Sequence, residues 1–385
     1  MKVGFRGKRI RFYWLLWIFS TNAVIAADTY LSAQIINNPA RPQAANAGRV
    51  FNPKEILSIE DTGEKYYFKY PHNIKIGPDG SIFIIDIEQF LQFDPAGKYL
   101  RNLFKKGQGP GEMTNLENYN FEGRNIVAFS LYPAKLIWFD GNGKFIKDES
   151  LATKTQILKF HGRIGGRWLF ETFEFPRNGG ELQYLDQPHK LLIWNETAKT
   201  WRPLSAFPVR IMGVSAAGGG SGFFDVGQFL AGPLGDRRLV ISHTSEYDIK
   251  IFDLESDKVE REFQRTYDRV PPPPLKAGQR RPAIMMGDKT YEQPEEKYAN
   301  DIANILVRGD RLWIVTSTTD KKKGVLVDVF DVEGHYRDCF YLNLPEPARE
   351  AVRSPLLCAL AGDFLFTAEK SEEGTYAIKK YKIAG

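Results

Sequence analysis

Five histidines hold most of the acid–base and metal-binding potential of this 385-residue chain: His72, His161, His189, His243 and His335. None stands in the H-E-x-x-H spacing that sets two imidazoles on one helical face around zinc. The two cysteines, Cys339 and Cys358, lack the surroundings of a catalytic nucleophile, and there is no Gly-x-Ser-x-Gly elbow. Gly107–Glu112 (GQGPGE) and Gly218–Gly222 are glycine-rich but lack the Lys-Ser/Thr and following helix of a phosphate loop. No catalytic residue is assigned. What remains suits binding. His72 and Asn73 lead into one apolar run, and Asn118, Asn120, Asn300, Asp301 and Asn304 hold comparable places in two others. Converging amides and an imidazole could hold a sugar, a peptide or a metal; the same side chains could instead cap local turns. His72, His243, Asp86, Glu88 and Glu246 are the groups that could gather around a calcium or zinc ion, although no spacing demands it.

The elements that must position these residues are short strands. Tyr70–Glu112 contains four apolar or alternating runs, separated by the turn signals Gly77-Pro78-Asp79-Gly80 and Asp94-Pro95-Ala96-Gly97 and by a looser bend. Period-2 runs bounded by Gly, Pro and Asp read as an antiparallel meander. Further copies run from Asn118 to Leu151, Gln156 to Phe207, Phe223 to Tyr267 and Ile302 to Leu344. Phe93-Asp94 is echoed by Phe139-Asp140, Phe252-Asp253 and Phe330-Asp331. Leu356–Ile383 supplies only three strands, and a lone strand at Glu55–Glu60 could complete it. A repeat of this size and strand count predicts an all-β fold, a six-bladed β-propeller of four-stranded blades closed by an N-terminal strand. A β-sandwich followed by a second β domain would use similar strands, but the F-D-x-x-G strand ends recur too regularly for it.

The pattern D-G-x-I-F-I-I-D followed by F-D-x-x-G, together with Gly107-Gln108-Gly109-Pro110-Gly111-Glu112, resembles the bacterial extracytoplasmic six-bladed β-propeller family related to NHL-repeat proteins. The resemblance covers about residues 50–384 and is sharpest in the first two copies. It implies the fold and brings no assigned chemistry.

With strands named A to D from the axis outward, A–B and C–D turns share one face of the disc. B–C turns and crossings to the next blade share the other. The first set is short throughout. The long segments, Phe104–Leu116, Phe173–Lys190, Phe207–Gly222 and Asp268–Asp301, all fall in the second. Long loops more often carry function, so this is the expected working face. The 268–301 insertion, with Pro271 to Pro274, Arg280, Arg281, Met285, Met286 and Tyr291, either arches over the axial mouth or hangs free between blades. The expected ligand-binding set at the mouth is therefore His72, Asn73, Asn120, His243, Asn304 and Tyr291.

Lys2, Arg6, Lys8, Arg9 and Arg11 precede the apolar run Phe12–Phe19 and the small-residue stretch Ala23–Ala27, the pattern of a secretory signal over residues 1–27. The run is well short of the ~20 residues that span a bilayer. Residues 28–49 read as a flexible leader and 50–385 as the propeller. Removing those five of 52 basic residues leaves 47 against 47 acidic, so no footprint for nucleic acid or anionic membrane remains. The export signal places the chain in the periplasm or outside the cell, where a disulfide could form. Cys339 on an outermost strand and Cys358 on the next innermost strand stand more than ~10 Å apart at ordinary strand spacing, and so are expected as free thiols. The sequence thus predicts a monomeric, non-catalytic binding module for a protein, peptide or carbohydrate ligand, without cofactor and without membrane insertion after signal cleavage. The alternative is a metal-assisted lyase or hydrolase built on His72 and His243.

Overall fold

A computed structural model describes residues 35–151, 157, 159–173, 180–215, 221–275 and 278–383. The signal segment 1–27, the first residues of the leader and the glycine run before Ser221 lie outside them. Six antiparallel sheets follow one another around a ring, joined by a small separate hairpin. Blade 1 is His72–Ile76, Ile82–Asp86, Gln89–Phe93 and Tyr99–Asn102, and blade 2 is Asn115–Glu122, Asn125–Leu131, Lys135–Phe139 and Phe145–Ser150. Blade 3 is Lys159–Ile164, Arg167–Phe173, Gln183–Asn195 and Thr200–Ser215, with Ser221–Asp225 added outside. Blade 4 is Phe229–Leu234, Arg238–His243, Asp248–Asp253 and Lys258–Arg265. Blade 5 is Ile302–Arg308, Arg311–Asp320, Gly324–Asp331 and Tyr336–Leu342. Blade 6 has only Cys358–Ala361, Phe364–Lys370 and Tyr376–Lys382 of its own.

The second and third strands of each blade read as nearly unbroken apolar runs because both faces of a blade are covered by its neighbours. Ile82–Asp86, Gln89–Phe93 and Lys135–Phe139 are buried at every position. Apolar clusters accordingly form between sheets: Phe83, Phe90, Tyr119 and Phe139 join blades 1 and 2, and Phe129, Trp138, Phe160 and Trp194 join blades 2 and 3. Further clusters join 3 to 4, 4 to 5 and 5 to 6, and Ile59, Ile378, Ile84 and Phe93 join blade 6 back to blade 1. Burying each such side chain contributes about 1.5–3 kcal/mol.

The F-D-x-x-G ends do two jobs. Asp94 Oδ1 accepts the backbone N–H of Ala96 and Lys98, and Asp140 Oδ1 those of Asn142 and Lys144, which closes each turn. The glycine then sits at positive φ against the preceding blade. A Cβ on Gly97 (φ 83°) would lie 2.9 Å from Leu57, and one on Gly334 (φ 88°) would lie 2.7 Å from Phe263. The repeat therefore encodes the seam between blades as well as the turn.

Closure follows the sequence reading. Strand β3 (Lys54–Glu60) pairs antiparallel with Tyr376–Lys382, Ile59 opposite Ile378, and becomes the outer strand of blade 6. The leader departs from expectation. Strand β1 (Ile35–Asn38) adds in parallel to the outer strand of blade 4, and β2 (Arg49–Phe51) to that of blade 5. Asn38 fixes the first of these: its Nδ2 donates to Gln264 O and Gly334 O, and its Oδ1 accepts Tyr336 N–H. Asn side chains that look like loop chemistry are here spent on a rim strand, which is why composition alone read this stretch as flexible.

Two of the long segments are not loops either. Gln183–His189 pairs with Phe207–Gly213, and Ser221–Asp225 folds back on Ile211–Ser215, so blade 3 rises past its neighbours on the long-segment face. Phe223 therefore belongs to blade 3, and blade 4 begins at Phe229. A seven-residue helix α1 (Glu346–Val352), led by Pro345, fills the crossing from blade 5 to blade 6 and buries Ala348, Ala351 and Val352.

Candidate functional site

The axial end of each blade is where the amides were expected to converge on a ligand. They converge on neighbouring blades instead. Asn73 (φ 50°) donates Nδ2–H to Glu117 O at 3.1 Å. Asn118 donates to Phe160 O at 2.7 Å and Asn120 to His161 O at 3.1 Å. Asn304 reaches Val352 O at 3.1 Å and Cys358 Sγ at 3.2 Å. Each of Asn118, Asn120 and Asn304 also accepts the N–H of the following residue. Their amide nitrogens clip blade to blade, a role the sequence did not show, while their oxygens make local bonds of the kind the capping reading expected.

The histidines do not meet as a pair. His72 opens blade 1 and donates Nδ1–H to Tyr70 O at 2.8 Å; His243 closes the second strand of blade 4, Nδ1 lying 2.7 Å from Ser245 Oγ. They stand on blades 1 and 4, opposite one another in the ring of six. Asp86 is taken up by the backbone N–H of Lys69, Tyr70 and Ile87, and Glu88 pairs with Lys106. Among the described residues no group of three or more His, Cys, Asp or Glu is placed to hold a metal ion. His243 Nε2 is buried without a partner, and burial, with His189 nearby, lowers its pKa to about 4. The imidazole is therefore neutral at physiological pH. Both cysteines are free; burial pushes Cys358 up to about 12, so its thiol is inert.

Two cavities open at the axis. The first, of about 480 Å³, is a cleft on the long-segment face, roofed by the 268–301 insertion. Arg269 anchors the insertion's base by donating to Asp301 Oδ1 at 2.8 Å and to Ser245 O at 3.0 Å, and Ala299 N–H returns to Val270 O. Its tip is a hairpin, Ala283–Met286 with Lys289–Glu292, that leans on the risen part of blade 3. Ile284 packs against Gly222, and Tyr291 donates its hydroxyl to Gly180 O at 3.1 Å. Tyr291 thus ties the tip of the insertion to the segment before the risen part of blade 3. Pro272, Pro273 and Tyr298 cover the cleft, while Asp225, Gln228 and Arg353 line it from below. Burial raises the Asp225 carboxyl, and Arg353 Nε is buried with no hydrogen-bond partner.

The second cavity, about 390 Å³, lies one or two residues further along the same innermost strands and is bounded by all six blades. Lys75, Lys159, Asn73, Asn118 and His161 form its polar side. Lys75 Nζ donates to Tyr119 O and sits 5.1 Å from the Tyr119 ring centroid. Burial lowers Lys75 to about 8, and burial raises Glu117, behind the wall, to about 8 against the pull of Lys159 and Lys75. Burial alone would raise Glu171, but hydrogen bonds from His161 (3.0 Å) and His189 (2.8 Å) bring it down to about 2. His161 is absent from the binding set expected from the sequence. The usable signal was a charged or polar residue on an innermost strand, as in HNIKI at 72–76 and KFH at 159–161.

Residues 32–192 match the model of a family described as 6-bladed beta-propeller, DUF5128. The chain is a six-bladed β-propeller. Among solved structures the propeller is similar to a Bacteroides fragilis protein provisionally named as exported, with 11% identity and a TM-score of 0.51 over 91% of this chain and 100% of that one. It is also similar to a DUF4221 family member from Bacteroides vulgatus, with 10% identity and a TM-score of 0.50 over 87% and 98%. Identities this low bear on the fold alone. No curated protein matches the propeller's sequence.

Proposed function

We propose that this propeller is an extracytoplasmic binding module, periplasmic or secreted, that takes a glycan or peptide segment in the cleft beneath the 268–301 insertion. The N-terminal basic, apolar and small-residue pattern supports export, as does the name of the Bacteroides fragilis neighbour. The observation that carries the binding reading is the roofed cleft itself. It is a preformed hollow of about 480 Å³ in which planar polar groups (Asp225, Gln228, Gln293, Asn300) stand with a tyrosine, Tyr298. Such groups satisfy hydroxyls and peptide amides in pairs, while the ring supplies apolar area at little entropic cost. Asp225, Glu296 and Glu350 outnumber Arg353 in its lining, which disfavours an anionic ligand there. Nothing in the arrangement supplies a nucleophile with its base, so binding without turnover is the simplest use of the site.

The test is to probe the mature protein on glycan and peptide arrays beside two variants, one with residues 283–292 replaced by a short Gly-Ser link and one with Tyr298→Ala. Both should lose the retained ligand while keeping the parent's melting temperature within a few degrees. An empty array, or binding that survives both changes, overturns the reading; which array responds assigns the ligand class.

A further inference from the structure

The axial cavity below the cleft has an electrostatic character of its own. Its lining includes two lysines, one on blade 1 and one on blade 3, and no carboxylate. The backbone of Lys159 is paired opposite Glu171 in blade 3, but its ammonium makes no hydrogen bond or ion pair among the described residues. Asn73 and Asn118 each spend one amide N–H on a neighbouring blade and keep the second, since an amide nitrogen carries two. Glu117, the nearest acid, stands behind the wall with Oε2 accepting Phe160 N–H at 3.1 Å. The next, Glu171, lies behind His161 and is held by both His161 and His189. Tyr119 and Cys358 complete the titratable groups around the cavity, and both remain protonated at neutral pH because burial pushes them up.

We propose that the axial cavity is a second binding site, distinct from the cleft, that takes a small oxyanion such as a carboxylate or a phosphate between Lys75 and Lys159. Two ammonium groups across a narrow, largely apolar channel cost desolvation that a bound oxyanion would repay through charge-assisted hydrogen bonds. The opposite wall is formed by Leu230, Pro233, Leu306 and Leu360 with Asn304, whose amide nitrogen is engaged by Val352 O and Cys358 Sγ. Glu117 holds its proton at neutral pH, because burial raises it to about 8, and so supplies no resident anion to compete for the lysines.

The test compares melting temperatures of the mature protein in sodium phosphate, sodium acetate and sodium chloride at matched ionic strength, with oxyanion on the order of 10 mM. A ligand that binds only the folded state raises the melting temperature in proportion to ln(1 + [L]/Kd). Phosphate or acetate should stabilise beyond chloride, and the ratio between them identifies the preferred chemistry. Lys159→Met should remove that increment, a loss of about tenfold or more in affinity. Glu117→Gln, which matches the protonated acid present at pH 7 and keeps the acceptor for Phe160 N–H, should leave the response within about twofold. Lys98→Met, on an exposed turn, should change nothing.

No oxyanion-specific increment in either the parent or Glu117→Gln overturns the proposal, as does an increment that Lys159→Met retains. A response abolished by Arg353→Met would place the anion in the cleft and overturn the assignment equally. Should Lys159→Met not fold, Lys159→Gln, which keeps a polar head without the charge, makes the same comparison.

Discussion

Asp328 shows how individual side chains hold this ring together. It is fully buried in blade 5, yet it accepts from Arg265 of blade 4 at 2.7 and 2.8 Å, from Tyr247 at 2.6 Å and from Tyr336 at 2.6 Å. The guanidinium in turn lies 4.9–5.3 Å from the ring centroids of Tyr247, Tyr267 and Tyr336. Removing one partner of such a network strands a buried charge, so Asp328→Ala should cost about 3–5 kcal/mol in a denaturant titration. Asp328→Asn should cost less because its amide oxygen fills the same place and still accepts from Arg265 or a tyrosine hydroxyl, although the cation is left unpaired. The axial acid makes a pH prediction. The folded pKa of Glu117 is raised from 4.5 to about 8, so the folded state holds that proton more tightly. Its contribution is complete below pH 4.5 and is lost as pH rises through 8. Glu117→Gln should therefore stabilise the fold at pH 8.5 by on the order of 1–2 kcal/mol, read as a higher melting temperature, and leave it unchanged at pH 4.5. At this scale the sequence was half legible. A carboxylate inside the apolar run V-L-V-D-V-F-D is conspicuous, but its cation lies 63 residues earlier and nothing local announces the pairing. The amides at the axis were visible and their partners were not, because those partners are backbone carbonyls of another blade.

At the level of the strand and turn, the repeat was read from its punctuation, and the structure explains why punctuation sufficed. Each Phe-Asp end fixes a turn through the carboxylate, and the glycine after it fits against the previous blade, so local sequence encodes a contact between blades. Gly334→Ala and Gly123→Ala separate the two demands placed on that glycine. Both residues have positive φ, but a Cβ on Gly123 meets nothing within 4 Å, whereas one on Gly334 meets the buried Phe263 ring. Gly334→Ala should thus cost more than Gly123→Ala by about 1–3 kcal/mol, measured as the difference in unfolding free energy. Elsewhere the elements outran their signals. Gln183–Asn195 and Thr200–Ser215 run past the length of their neighbours through Pro188, Pro203 and Pro208, which sequence logic treats as strand breakers. The helix Glu346–Val352 is too short to show a period, and its cue was Pro345 at its N-cap.

Considered whole, the propeller is closed twice. Blade 6 borrows its outer strand from Lys54–Glu60, the closure anticipated from counting strands, and residues 35–51 then run along the rims of blades 4 and 5. That second fastening was not legible, because short parallel rim strands rich in Asn and Pro carry no alternation. Deleting residues 28–53 while keeping β3 should leave a ring that still closes but melts several degrees lower. Limited proteolysis should then cut first near the uncovered outer strands, Lys258–Arg265 and Tyr336–Leu342. An undiminished melting temperature would show that the rim strands are ornamental. The arrangement also has a temporal consequence. Residues 35–60 are synthesised before the blades, yet every strand they pair with is encoded after residue 257, so this segment has no strand partner until most of the propeller has been made. Assembly of this molecule is finished by its beginning.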